Sequence, residues 1–370
     1  MVGKVSGLVK IIALLIMLYV PLCAYADGSP VGNMQDGDII CGNSGMEVYL
    51  LCRKTDISRA IDKGTAFLKE RIKNKDFVLS CKSTGIPPCP VHQSGKLFAA
   101  FFLTDALKDN LSAQEADYIS TLILGEKRKN GVWGYAAFGP PDSDDTAFAM
   151  RTLRMLGNDC PLHPLLAYYI EEQGGFVTFS IKKKAKLANK INEANNLEMH
   201  PEVNANVFWL FLEDNRQPAV KPNLDLIYES QAADGWFYSY FYPGKYYGTY
   251  MALTLICGFG GKKEAIDRGI RFLSDSQNPD GSWGSPSSPY ETALALNAIR
   301  SCTNKIDPME FTKGISYLLS KQQPDGSWHT DSIIWKYLVS DATGVLWNAY
   351  DANNAVTTSL VVNALKGARQ

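Results

Sequence analysis

Two segments of this chain are near copies: Gln277-Asn278-Pro279-Asp280-Gly281-Ser282-Trp283 and Gln322-Gln323-Pro324-Asp325-Gly326-Ser327-Trp328. Repetition of this kind constrains a fold more than composition does, because each repeat must be one unit that stacks on its neighbours. Apolar residues recur at helical spacing over 265–273, the first turn follows, and a second helical stretch starts at Tyr290 and runs through Leu296. In the other copy 311–319 precedes the turn and a helical stretch near 354–364 comes after it. Pro presets its backbone angle and Gly accepts a positive one, so Pro-Asp-Gly reverses the chain. The Trp is then expected to cover the gap between successive hairpins.

Weaker copies run upstream. Residues 224–230 lead to Gln231, Gly235 and Phe237, then to 249–257; 118–124 lead to Gly131 and Trp133, then to 145–156. Residues 165–172 lead to Gly174-Gly175-Phe176, then to 204–212; the most degenerate copy pairs 61–71 with 96–107 across Pro87-Pro88. The result is about six helical hairpins, each too thin to bury its own apolar faces, so neighbours must stack. Periodicity is compatible with a closed ring, second helices inside around a central cavity, and equally with an open solenoid.

The stretch Pro140-Pro141-Asp142-Ser143-Asp144-Asp145-Thr146-Ala147-Phe148 crowds three carboxylates just before one of the inner helices. Carboxylates that close cannot all ionise cheaply, so one is pushed toward a raised pKa and keeps a proton near neutrality. Aligning the inner helices sets Asp145-Thr146-Ala147 against Glu291-Thr292-Ala293, where any helix start welcomes a polar cap. Asp145 alone therefore reads as a cap; Asp142 and Asp144 exceed what one cap needs, and Pro140-Pro141 fixes their approach.

These residues carry a resemblance. Asp142-x-Asp144-Asp145-Thr146-Ala147 looks like the D-x-D-D-T-A motif of class II terpene and triterpene cyclases, such as squalene–hopene cyclases, and the Gln-x-x-x-Gly-x-Trp spacing resembles their QW repeat. The resemblance covers roughly Tyr118 to the C-terminus. It implies an all-α (α/α)6 toroid over 58–370 and acid-initiated cyclisation or hydration of an isoprenoid or polyprenoid lipid, without metal or organic cofactor. Asp144 takes the place of the general acid, with Asp142 and Asp145 tuning it. Carbocations are stabilised by aromatic faces, and Phe148, Trp209, Tyr246, Tyr247, Tyr250 and Tyr290 lie near the inner helices as candidate substrate contacts, beside Glu291; His92 is placed to reach an aspartate across a ring.

Composition bounds the rest. The chain has 370 residues and a formal net charge of −1, which gives no electrostatic reason to expect nucleic acid. The densest basic run, Lys182-Lys183-Lys184, reads as a solvated face. Lys4, Lys10, the apolar run 11–22 and Ala24-Tyr25-Ala26 form a signal-peptide pattern over 1–26, with an extension at 27–57 and a periplasmic or secreted mature chain expected. Export allows disulfides: Cys81 with Cys89, and Cys41 with Cys52, are the candidate pairs, while Cys257 and Cys302 lie in apolar helical patterns and read as buried fillers.

The chain departs from the resemblance in having room for one toroid where known members typically carry two. A homodimer or peripheral membrane contact completing the pocket stays open. Export makes a neutral polyprenoid a better expectation than a prenyl diphosphate, and Lys245 and Arg151 are isolated basic candidates. Two rivals remain: a non-catalytic lipid-, peptide- or glycan-binding toroid, and a glycosidase pairing Asp144 with Glu291 or Asp351.

Overall fold

The computed structural model describes residues 38–369 apart from 42–49, 87, 90–92, 136–139, 180–198, 215–219, 303–307 and 341–343. His92, the Lys182–Lys184 run and the proposed signal peptide lie outside the described residues.

The helices are α1 (Lys54–Lys73), α2 (Lys96–Leu107), α3 (Ala113–Gly125), α4 (Ser143–Met155), α5 (Pro201–Glu213), α6 (Asp225–Tyr228), α7 (Tyr246–Gly258), α8 (Lys263–Asp275), α9 (Pro289–Ser301), α10 (Pro308–Ser320) and α11 (Ala355–Arg369). The inner helices α2, α4, α5, α7, α9 and α11 each pack on the next, and α11 packs back on α2. The ring is therefore closed, which periodicity left open. Outside it stand α1, α3, a 3-10 segment at His163–Tyr168, the single turn α6, α8 and α10.

The repeated turns make this ring. Gln277 donates its side-chain amide to the Gly281 carbonyl of its own turn (3.0 Å) and to the Glu310 carbonyl of the next outer helix (2.8 Å). Gln231 does the same with Gly235 and Ala265, and Gln322 with Gly326 and Ala60. The last bond ties the end of the chain to α1 and closes the circle. Gly281 and Gly326 need a positive φ, and a Cβ there would meet the Lys313 or Lys63 carbonyl at 2.5 Å. The Trp rings reach the next outer helix where it is thinned to glycine: Trp283 lies over Gly314 and Trp328 over Gly64. Each indole N–H donates to its own outer helix, Trp283 to Leu273 (2.7 Å) and Trp328 to Leu318 (2.6 Å).

One feature stands outside the helical expectation. A four-stranded antiparallel sheet in the order β4-β3-β8-β7 joins Gln93–Ser94, Leu79–Ser83, Val345–Tyr350 and Ile333–Ser340. It lies at the ring end where the inner helices begin: Trp335 of β7 stacks on Tyr135 (4.5 Å) and on Phe241 (6.3 Å), and the Lys336 N–H donates to the Phe241 carbonyl (2.7 Å). Shorter two-stranded pairs are β1 (Asp38–Cys41) with β2 (Leu50–Arg53), and β5 (Tyr169–Ile170) with β6 (Gly175–Phe176).

Cys81 and Cys89 form a disulfide, as expected. Cys257 and Cys302, read from sequence as separate fillers, instead form a second disulfide that joins the C-terminal ends of neighbouring inner helices α7 and α9. The two positions meet only once the helices stand side by side in the ring. The side chains of Cys41 and Cys52 are outside the described residues. Reducing the 45-residue closure by Cys257→Ser with Cys302→Ser is expected to cost about 2–4 kcal/mol, because the unfolded chain regains loop freedom; urea unfolding with and without the pair measures it.

Candidate active site

The fourth residue of an inner helix recurs as a clamp. The hydroxyls of Thr146, Thr249, Thr292 and Thr358 accept the backbone N–H of Trp133, Phe237, Trp283 and Trp328 at 2.9–3.1 Å, and the Asn204 amide carbonyl accepts that of Phe176 at 2.7 Å. This common register fixes the helix starts at one end of the ring. The second residues of four successive inner helices, Asp144, Glu202, Tyr247 and Tyr290, are then brought to that same end, all buried.

Asp142 is the N-cap of α4: one carboxylate oxygen accepts the Asp145 N–H at 2.7 Å. The cap expected at Asp145 therefore sits three residues earlier, where the extended backbone of Asp142 lets its side chain fold back over the first turn. Asp144 is 9% exposed and held from two sides. The Asn206 amide donates to one oxygen at 2.8 Å and the Tyr242 hydroxyl to the other at 3.0 Å. Arg151 in turn donates to the Asn206 carbonyl oxygen at 2.8 Å, so the amide end of Asn206 faces Asp144.

Burial pushes the Asp144 carboxyl up to about 6, while the hydrogen bonds from Asn206 and Tyr242 and the charge of Arg151 pull it back. Burial, with the charge of Asp144 against the pull of the Asp145 N–H, pushes Asp142 up to about 7. Asp145 is raised well above the carboxylate range by burial and by both neighbouring aspartates. Asp144 is thus the strongest acid of the three, keeping its proton below about pH 6. Its conjugate base is the one with two donors waiting for it, which is what a proton donor requires.

An aromatic lining adjoins it. Tyr242 stacks on Tyr247 at 3.7 Å and on Phe98 at 5.6 Å; Phe98 meets Phe148 edge-on at 5.3 Å. Tyr250 packs edge-on against Tyr247. The Tyr290 hydroxyl is buried with no hydrogen-bond partner among the described residues. Burial lifts Glu291 to about 7, its carboxylate lying against Gly284 and Gly244 on the helix opposite α4. Of the residues singled out from sequence, Asp144, Tyr247, Tyr250 and Phe148 come together in one continuous cluster. Tyr246 does not: it turns outward onto Phe272 of α8. Trp209 packs with Phe259 near the other ends of the inner helices and reaches the cluster only through Arg151, which lies over its ring at 5.1 Å. Lys245 is paired with Asp234 at 3.1 Å, and Asp351 is engaged by the N–H groups of Val356 and Thr357.

Asn206, Phe98, Glu202 and Tyr242 are not among the site residues expected from the sequence. Asn206 carried a signal, being a second buried amide in Asn204-Ala205-Asn206 where one suffices for the clamp.

The squalene–hopene cyclase C-terminal domain model matches residues 133–336, more than half of the chain. The chain belongs to that family. Among solved structures, a variant of the type II terpene cyclase MstE from Scytonema, in complex with its substrate geranylgeranyl dihydroxybenzoate, is 19% identical with a TM-score of 0.68 over 85% of this chain and 98% of that one. The ent-copalyl diphosphate synthase from Streptomyces platensis is 18% identical with a TM-score of 0.58, over 76% of this chain and 52% of that one. Candida albicans protein geranylgeranyltransferase-I, complexed with GGPP, is 15% identical with a TM-score of 0.53 over 83% and 90%. No curated protein matches by sequence. At these identities the structures attest the toroid fold that the resemblance implied.

Asp144 titrates near 6 when folded, against 3.8 ordinarily, so its favourable contribution is complete below pH 4 and is lost as the pH rises through 6. Asp144→Asn is therefore expected to stabilise the protein by about 1–3 kcal/mol at pH 8 and to change it little at pH 4, read from denaturant unfolding at both values.

Proposed function

We propose that this family member is an acid-initiated cyclase of a hydrophobic isoprenoid-like substrate, with Asp144 as the general acid. The observation that carries the reading is the buried Asp144 carboxyl, gripped by Asn206 and Tyr242 beside an aromatic lining. Asp144 gives its proton either to a terminal alkene carbon, whose π pair forms the new C–H bond, or to an epoxide oxygen, whose C–O bond then breaks with its electron pair going to that oxygen. Positive charge then develops on carbon, where the faces of Phe98, Phe148 and Tyr247 attract it without offering a lone pair for capture. The Asp144 carboxylate left behind keeps its two donors, which lowers the cost of giving up the proton. Loss of a proton, or addition of water, ends the sequence and yields an isomer or a hydrate.

Other MstE structures hold geranylgeranyl dihydroxybenzoate or the product merosterolic acid A, which supports an isoprenoid chain as the substrate class here. Export is part of the proposal, with 1–26 as a cleaved signal peptide. The disulfides Cys81–Cys89 and Cys257–Cys302 support an oxidising compartment and hence a neutral polyprenoid over a diphosphate.

The test incubates the purified chain from Asp27 onward with squalene, oxidosqualene, long polyprenols and geranylgeranylated aromatic acids. Extracts are compared by mass spectrometry with those of Asp144→Asn. A new isomer or hydrate from the wild type alone is expected; equal product from both proteins removes Asp144 from the role. Because the acid must carry its proton, turnover is expected to fall as the pH rises through about 6. Tyr242→Phe removes a bond that favours the carboxylate, so that limb is expected at higher pH and with a lower kcat.

A further inference from the structure

Glu202 is the second residue of α5 and is 2% exposed, although a glutamate in a first helical turn is ordinarily left in solvent beside the helix dipole. A buried carboxyl is costly unless its oxygens are engaged. Here Oε1 accepts two main-chain N–H groups, from Tyr240 and Phe241, both at 2.9 Å, while Oε2 is buried with no hydrogen-bond partner among the described residues. Besides the pull of its own N–H, the carboxyl holds a loop 38 and 39 residues further on.

That loop delivers Tyr242. The Phe241 peptide is gripped on its N–H side by Glu202 and on its carbonyl side by the Lys336 N–H of β7. The Phe241 ring stacks on Trp335 and Tyr337. The next residue, Tyr242, donates to Asp144. Main-chain placement at Phe241 sets the Cα of Tyr242, and a hydrogen bond to a carboxyl is sensitive to shifts of about half an ångström. We infer that Glu202 is a positioning residue for the proton donor: it fixes the Tyr240–Phe241 main chain so that the Tyr242 hydroxyl meets Asp144, and it ties that contact to the sheet over the ring. The inference rests on the acid role of Asp144.

The groups facing Asp144 are Asp142 and Asp145 on its own helix, Arg151, Glu202 on α5, and Tyr242 and Tyr247 on the loop and α7. Any test must separate the charge of Glu202 from its acceptor. Glu202→Gln keeps the acceptor without the charge; Glu202→Leu removes both. Infrared titration of the protonated carboxyl band that vanishes in Asp144→Asn reads the acid directly, with no substrate present.

In the wild type, Tyr242→Phe is expected to move that titration up by about one to two pH units. The same increment is expected in the Glu202→Gln background. In Glu202→Leu it should vanish, because the hydroxyl is already displaced. An undiminished increment in Glu202→Leu overturns the inference. Should that chain not fold, Glu202→Asp decides in its place: one methylene shorter, it is expected to lose the increment, and retention overturns the positioning role. Turnover is read separately, so a wild type without activity on any substrate counts against the acid reading and leaves the titration result standing.

Discussion

One side-chain amide, repeated at three joints of this ring, ties its outer helices to one another. A glutamine just past an outer helix donates to a carbonyl in its own turn and to a carbonyl in the N-terminal half of the next outer helix. The first acceptor is a turn carbonyl outside any helical ladder; the second already accepts within its own helix and takes the amide on its other lone pair. The bond is local in chemistry and global in effect, since Gln322 to Ala60 spans 262 positions and makes a ring of a row. Glycines at the contact let the backbones approach, and the Trp rings fill the remaining wedge.

The site follows from that construction. Clamping the fourth residue of α4, α5, α7, α9 and α11 to the preceding turn sets those helices in one register. Their second residues must then gather at one ring end. Asp144, Glu202, Tyr247 and Tyr290 occupy this position on consecutive inner helices, and each is polar where a core would take an aliphatic side chain. Thr146, which sits inside the aspartate motif, belongs to the scaffold, whereas Asp144 two residues earlier belongs to the site.

What the sequence displayed was whatever is local. The Gln-to-Trp turns, the paired helical stretches and the crowded aspartates are contiguous, so period and spacing expose them. Partners of Asp144 are not local: Asn206 is 62 residues away and Tyr242 is 98. A hydrogen bond across a ring leaves no periodic trace. The Cys257–Cys302 bridge is hidden for the same reason, each cysteine looking like one more apolar residue on its helix. The covering sheet is a different omission. Ile333-Ile334-Trp335-Lys336-Tyr337-Leu338-Val339 is rich in β-branched and aromatic residues, but it falls between two helices of one repeat, where a search at helical period passes over it.

The sheet also bears on how one ring manages the electrostatics. Three carboxyls in four positions would be intolerable if all were ionised and tolerable only if solvated or protonated. Solvation is denied here, since Asp142, Asp144 and Asp145 are each less than a tenth exposed. Protonation is what burial favours, and it makes the acids weak. Asn206 and Tyr242 reverse that at one position alone, drawing Asp144 below its two neighbours. In a cluster built this way Asp144 is the first to release its proton as the pH rises, ahead of Asp142 and Asp145. Water at that end would solvate all three and erase the difference. Trp335 and Tyr337, stacked over Phe241, lie over the loop that carries Tyr242. The strand that shields the acid and the loop that tunes it are hydrogen-bonded to each other, so dryness and acidity are set by the same few residues.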